Sequence, residues 1–130
     1  MIEIFERARR CGAQVGAAAL LLGFSCGAAA AAGDAAHGEV LYEGCQDCHS
    51  LDKNDVGPRH RGVFGRKAGS LPDYEYSDAL KQSGIVWDAA NLDKWLTDPQ
   101  SFIPGVKMFY HLDDEKDRAD VIAFLAERAR

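Results

Sequence analysis

Cys45-Gln46-Asp47-Cys48-His49 is the stretch that decides how the rest of this 130-residue chain is organised. Two residues separate the cysteines, and the histidine follows the second cysteine directly. At this spacing both thiols can bond to the two vinyl groups of a haem while the imidazole reaches the iron, so the run is typical of c-type haem attachment. The two cysteines lie too close in sequence to staple a small domain by a disulfide.

Two other kinds of site use paired cysteines. A zinc site would need two further cysteine or histidine ligands at short spacing, whereas His37, His60 and His111 are scattered singly. A thioredoxin-like dithiol would need a strand before the motif and a βαβ context, whereas helical spacing precedes it. The sequence therefore favours haem over both alternatives.

The N-terminal 33 residues have the layout of a secretory signal peptide. Basic residues at positions 7, 9 and 10 precede 23 uncharged residues, Cys11–Gly33, with an apolar centre at Val15–Phe24. We expect cleavage between Ala28 and Gly33 and export to the periplasm. A retained membrane anchor is the alternative, because 23 uncharged residues can just span a bilayer.

Residues 34–130 are then expected to form a single domain of 97 residues. This domain is small and rather poor in apolar residues, which suggests that a non-protein group completes its core. It holds 18 acidic and 12 basic residues, a net charge of about −6. An anionic domain repels phosphate backbones, so nucleic-acid binding is excluded as its function.

Apolar spacing predicts an all-α domain in which two long irregular stretches separate the helices. The irregular stretches span residues 51–72 and 100–112. Three main helices are expected at residues 35–47, 89–97 and 114–129, and one short turn of helix at residues 77–81. Asp34 and Asp88 are the expected N-caps of the first two main helices, and Pro99 is expected to end the second. So few helices cannot close a core unless the loops wrap around a cofactor.

Further motifs follow in a fixed order along the chain, and together with the cysteine motif they resemble class I cytochrome c, in its mitochondrial-type and soluble bacterial branch. The likeness extends from Gly38 to Leu125. Its landmarks after the haem motif are Gly57-Pro58, Gly62-Val63-Phe64-Gly65-Arg66-Lys67, Tyr74-Glu75-Tyr76-Ser77-Asp78-Ala79, Gly84-Ile85-Val86-Trp87, Ile103-Pro104-Gly105-Val106-Lys107-Met108 and Arg118-Ala119-Asp120 with the apolar run to Leu125.

The resemblance implies a cytochrome c fold wrapped around one covalent haem, and it implies a role for each matching residue. Cys45 and Cys48 would hold the haem covalently, and His49 and Met108 would be the axial iron ligands. His60 and His111 are the rivals of Met108. The remaining implied haem contacts are the Pro58 carbonyl on His49, Trp95 near the methionine sulfur, and Arg66, Tyr76 and Trp87 around a buried propionate. Gly38, Tyr42, Phe124 and Leu125 would form the crossing of the first and last helices.

Some positions depart from the family pattern. Val106 replaces a usual hydroxyl residue at a propionate, Leu80 replaces a common polar residue, and Trp95 stands where tyrosine is frequent. Glu43-Gly44 and Gln100 occupy places where relatives often carry docking lysines. We therefore expect weak long-range steering, with docking by apolar contact around Phe109 and Tyr110 and local help from three basic residues, Lys107, Arg59 and Arg61.

The implied function is that of a monomeric periplasmic one-electron carrier, not an enzyme. Its expected donors are a quinol–cytochrome c oxidoreductase or a dehydrogenase, and its expected acceptors are an oxidase, a reductase or a photosynthetic centre. It would meet the membrane only through these complexes. The alternatives are a small haem peroxidase or ligand-binding haem protein with labile methionine ligation, and a membrane-tethered carrier that retains its leader.

Overall fold

The computed structural model describes residues 32–130, so nearly all of the predicted signal peptide lies outside the described residues. This range is helical, and its only β-type pairing is an isolated bridge between Lys67 and Val86. No helix in it has the length and apolar character needed to cross a membrane. The helices are α1 Ala35–Tyr42, α2 Asp78–Gln82, α3 Ala89–Thr97, α4 Pro99–Phe102 and α5 Glu115–Glu127.

The first helix is shorter than the sequence predicts. As expected, the Asp34 side chain caps it, accepting hydrogen bonds from two backbone amides of its first turn. However, α1 ends at Tyr42, and the chain tightens into a 3-10 turn over Glu43–Cys45. Glycine at position 44 weakens a helix, and the His49 amide then bonds back to the Cys45 carbonyl at 2.9 Å. The cysteine motif therefore lies on a tight reversal and not on a continuing α-helix.

Helices α1 and α5 cross in close contact, as the resemblance implies. At Gly38 the two backbones meet, because a Cβ atom there would lie 1.9 Å from the Asp120 carbonyl oxygen. The Tyr42 ring packs against Phe124 of α5 with 4.9 Å between ring centroids. This crossing fixes where the C-terminal end of α1, and hence the cysteine motif, lies.

Helix α3 has the predicted bounds and the predicted cap, with the Asp88 carboxylate accepting from the Asn91 amide. The segment after it was expected to be irregular, but Pro99 begins a further short helix, α4. The Asp98 side chain accepts hydrogen bonds from the amides of Gln100 and Ser101. Aspartate followed by proline is a regular way to start a helix, so the prediction was wrong here.

Helix α5 starts one residue later and ends two residues earlier than predicted, with Asp114 as its N-cap. Near its start Arg118 is almost fully buried and joins α5 to α3, because its Nε donates to Asp93 at 2.7 Å. Its Nη1 also donates to the carbonyls of Leu112 and Asp113, at 2.9 Å each. The helices and the long segments between them are thereby held around a central cavity.

Candidate haem site

A cavity of about 500 Å³ occupies the centre of the described chain. Its walls come from the end of α1, from both irregular segments and from the inner faces of α3 and α5. Most of the lining is apolar, with buried Val63, Leu80, Leu92 and Val121 among its members. The cavity also brings together all of the site residues expected from the sequence, namely Cys45, Cys48, His49, Pro58, Arg66, Tyr76, Trp87, Trp95 and Met108.

Both cysteines of the motif lie at the cavity wall, and no disulfide joins them. Cys45 is half-buried and Cys48 is exposed. Burial, and secondarily the neighbouring Cys48, raises the pKa of the Cys45 thiol to about 11. The two sulfurs are therefore available on one wall for covalent attachment of a group that enters the cavity.

The imidazole of His49 is fixed beside them by backbone groups. Its Nδ1 donates to the Pro58 carbonyl oxygen at 2.8 Å, which leaves Nε2 free to bind a metal. Burial lowers the pKa of His49, although the bond to Pro58 acts in the opposite direction, and a neutral ring is the form that binds iron. Gly57 leaves no space beside the ring, because a Cβ there would lie 2.2 Å from Cε1.

Met108 is held by a side chain and by a turn. The indole N–H of Trp95 donates to the Met108 sulfur at 3.2 Å, so the departure from tyrosine keeps a donor at this sulfur. Trp95 itself packs edge-on against Trp87, with 5.1 Å between ring centroids. Upstream, Gly105 has φ of 90°, a backbone conformation that favours glycine and turns the chain toward Met108.

Gln100 is a functional residue that the sequence did not reveal. Its side-chain amide donates to the backbone carbonyls of Val106 and Met108, at 2.8 and 2.9 Å. The sequence indicates Gln100 only as a position where relatives often carry a docking lysine. In the structure Gln100 lies on α4 and holds the backbone of the segment that carries Met108. The sequence signal that could have indicated this is the Asp98-Pro99 helix start just before it.

The positively charged side chain of Arg66 marks the part of the cavity where a propionate is expected. Its guanidinium donates to the carbonyls of Arg61 and Arg59 at 3.0 and 2.9 Å. Burial lowers the pKa of Arg66, while the nearby Tyr76 phenol opposes this. Tyr76 and Trp87 are both buried beside it. An anionic group can therefore be received here by charge and by hydrogen bonds.

Two of the departures, Val106 in place of a hydroxyl residue and Leu80 in place of a polar one, are buried apolar side chains, at 5% and 7% exposure.

Of the rival histidines, His60 lines the cavity beside His49, and His111 does not line it. His60 stacks on the His49 ring, with 3.9 Å between centroids, and its Nδ1 shares a 3.0 Å hydrogen bond with the Tyr42 hydroxyl. His111 is half exposed, lies 3.5 Å from Asp113 and is not part of the cavity lining. The contact between His60, His49 and Tyr42 joins residues that are separated in sequence, and no local pattern indicates it.

These residues fit a covalent haem. Two thiols and an imidazole lie together, a thioether is held in the same cavity, the walls are apolar, and one cationic group stands where a carboxylate would be received. A cavity of this kind, largely apolar with a few well-placed polar groups, is typical of a cofactor site.

Comparison with known proteins gives the same result. The family model described as Cytochrome c matches residues 35–129. Cytochrome c2 of Rhodomicrobium vannielii is 51% identical over 100 residues, covering 74% of this chain and 80% of that protein. Cytochrome c of Arabidopsis thaliana is 45% identical over 103 residues, covering 75% and 92% respectively.

A solved structure agrees as well. Cytochrome cH from Methylobacterium extorquens superposes with a TM-score of 0.71 at 48% identity, covering 74% of this chain and all of that one. The all-α fold, the covalent haem and the absence of an enzymatic activity were all expected from the sequence, and the comparisons confirm these expectations. The chain belongs to the cytochrome c family and is an electron carrier with one covalent c-type haem.

Proposed function

We propose that the protein is a periplasmic one-electron carrier whose haem is bonded to Cys45 and Cys48 and ligated by His49 and Met108. The observation that carries this proposal is the single cavity that holds both thiols, the Pro58-bound imidazole and the Trp95-bound thioether. The haem supplies a reversible one-electron couple, and histidine–methionine ligation is the set that raises its potential for electron transfer.

The chain's own contribution is to keep the site unchanged between the two redox states. Pro58 fixes the tautomer and the direction of His49. Trp95 and Gln100 hold Met108 from its side chain and from its backbone. Arg66, Tyr76 and Trp87 would hold one propionate. A site so braced needs little rearrangement when the electron arrives or leaves.

The red absorption of the oxidised protein tests the ligand set. A methionine sulfur on ferric haem gives a weak long-wavelength band, and we expect this band in the purified protein at neutral pH. Met108→Ala should abolish it, whereas Met1, the other methionine, lies in the predicted leader. Absence of the band from the unmodified protein would contradict the carrier proposal and favour a ligand-binding or peroxidase role.

Export is proposed from the leader sequence alone. The mass of the protein purified from its native cells decides it, because a cleaved leader and one added haem change the mass in opposite and separable ways. A mass that includes residues 1–33 would favour the tethered carrier instead.

Docking is proposed to depend mainly on apolar contact at the mouth of the cavity. Three exposed apolar side chains surround this mouth, with Val56 71%, Phe109 74% and Tyr110 47% exposed. Arg59 and Arg61 add less positive charge than their number suggests, because each is paired with a carboxylate, Asp73 and Asp52 respectively.

The dependence of electron-transfer rate on ionic strength tests this docking mode. With a purified quinol–cytochrome c oxidoreductase or terminal oxidase as partner, we expect a shallow dependence on salt, and a larger loss of rate in Phe109→Ser than in Lys107→Gln. A steep fall with added salt would indicate strong opposite-charge steering and contradict the proposal.

A further inference from the structure

One contact of the proposed iron ligand His49 has no part in the function described so far. The His60 ring stacks on the His49 ring with 23° between the ring planes. The backbone of His60 is fixed on both sides, because its amide donates to the Ser50 carbonyl at 2.9 Å and its carbonyl accepts from the Val63 amide at 2.8 Å. These two backbone hydrogen bonds therefore fix the position from which the His60 side chain stacks on His49.

A second group fixes the His60 ring itself. The Tyr42 hydroxyl shares a 3.0 Å hydrogen bond with His60 Nδ1, and no other hydrogen bond to this hydroxyl is found within residues 32–130. Tyr42 is 1% exposed and packs on Phe124 at the crossing of α1 and α5. A buried hydroxyl needs a partner, so His60 and Tyr42 fix each other.

His60 and Tyr42 are both polar, although both line a cavity that is mostly apolar. Burial, followed by the proximity of His49 and Arg66, lowers the pKa of His60 well below its usual range. The near-parallel stacking on His49 and the hydrogen bond to Tyr42 are both contacts that an imidazole makes at this place. An aliphatic side chain would fill the same space but would neither stack nor bind the Tyr42 hydroxyl.

We propose that His60, oriented by Tyr42, is a positioning residue that fixes the plane of the His49 ring at the iron. This inference rests on the proposed function, since it requires His49 to be an axial ligand. The hydrogen bond from Nδ1 to the Pro58 carbonyl is one restraint on rotation about the iron–nitrogen axis. The stacked ring of His60 restricts that rotation, and the α1–α5 crossing, through Tyr42, sets the angle.

Proton NMR of the oxidised holoprotein tests the inference, because the spread of the haem methyl resonances in ferric haem depends on the plane of the axial imidazole. We expect His60→Leu and Tyr42→Phe to shift these resonances relative to the unmodified protein. His111→Leu is the matched control. It removes another imidazole, one that does not line the cavity, and it should leave the pattern unchanged.

The outcomes separate this inference from the proposed function. An unchanged methyl pattern in His60→Leu and Tyr42→Phe, with the red methionine band retained, would overturn the inference alone. A shift in His60→Leu only would support the stacking role and overturn the part assigned to Tyr42. If His60→Leu fails to fold, Tyr42→Phe decides, since it deletes one oxygen. Absence of the red band from the unmodified protein would overturn the proposed function and this inference with it.

Discussion

The hydrogen bond from Trp95 to the Met108 sulfur is a single-residue feature with a measurable consequence. In the proposed site, where Met108 would bind the haem iron, an N–H donor would draw electron density from the sulfur and weaken its donation to ferric iron more than to ferrous iron. The bond would then favour the reduced protein. It also compensates for the loss of the tyrosine hydroxyl that is frequent at this position.

We predict that Trp95→Phe lowers the reduction potential by up to about 40 mV. This figure corresponds to the roughly 1 kcal/mol that a net hydrogen bond contributes, converted for one electron at about 59 mV per tenfold change. A spectroelectrochemical titration measures it. Phe102→Leu, an aromatic change in α4 outside the cavity lining, is the control and should leave the potential unchanged. An equal or higher potential in Trp95→Phe would contradict the prediction.

At this scale the sequence indicated the candidate ligands, and the family resemblance also implied two of their supports, the Pro58 carbonyl at His49 and Trp95 near the Met108 sulfur. Cys45, Cys48 and His49 form a local motif, so spacing alone indicates them. The contact between Trp95 and Met108 depends on the direction of an indole on α3, and the contact between His60 and His49 depends on how a loop folds back. Neither is encoded by any short-range pattern.

The crossing of α1 and α5 determines where the haem motif lies relative to the rest of the fold. The close approach at Gly38 is possible only because the residue lacks a Cβ. Any side chain there must push the helices apart, since the atom it would meet is backbone.

We predict that Gly38→Ala destabilises the holoprotein by about 3 kcal/mol, the upper part of the range for overpacking. Denaturant unfolding measures the change. Gly44→Ala is the matched control, because a Cβ there would lie 3.7 Å from the Tyr110 hydroxyl, an ordinary contact. Its effect should stay within about 0.5 kcal/mol. Equal stability of the two variants would show that the helices do not need this close approach.

Asp120 of α5 adds charged and polar contacts to the same crossing of α1 and α5. Its buried carboxylate accepts hydrogen bonds from the Asp34 amide at 2.7 Å, from His37 Nδ1 at 2.8 Å and from Lys116 Nζ at 2.5 Å. The Lys116 ammonium, followed by the Asp34 amide and His37, holds the pKa of Asp120 well below its ordinary value of 3.8.

This depressed pKa makes the stability of the crossing depend on pH. Because folding lowers the pKa, the stabilisation is fully present above the ordinary value of 3.8 and is lost as the pH falls through the folded value. We predict that Asp120→Asn is less stable than the unmodified protein at pH 7 and that this difference shrinks below about pH 4.

Thermal unfolding of the holoproteins between neutral and acidic pH measures the effect. Asp113→Asn is the control, because the Asp113 side chain is 93% exposed, and its unfolding should follow that of the unmodified protein. A stability difference for Asp120→Asn that persists unchanged into acid would show that the charge of Asp120 is not what stabilises the crossing.

The prediction of helix bounds was correct where a capping residue marks the start of a helix. It was wrong at the end of α1 and at the start of α4. The predicted N-caps Asp34 and Asp88 mark the starts of α1 and α3 correctly. The first helix ends early because the chain tightens into a 3-10 turn over Glu43–Cys45. Helix α4 was missed because Pro99 was interpreted as a stop, although it also suits the first turn of a new helix.

At the scale of the molecule, the cavity lies where a protein of this size would have its core. Residues from α1, α3 and α5 all face it, among them Tyr42, Leu96 and Leu125. The sequence indicated this arrangement through its lean apolar content and its long loops. It could not show how the loops close, because their path follows the shape of the group that they enclose.

We predict that the chain is largely unfolded without its haem. An empty apolar cavity of about 500 Å³ would cost on the order of 10 kcal/mol at roughly 24 cal/mol per Å³, which is comparable to the whole stability of a small domain. The double variant Cys45→Ala/Cys48→Ala removes both attachment points, and its far-ultraviolet circular dichroism should show most of the helical signal lost, while the haem-loaded unmodified protein retains it. Native-like helicity with a cooperative thermal transition in the haem-free double variant would contradict this prediction. It would mean that α1, α3 and α5 hold together by their own contacts and that the fold does not depend on the haem.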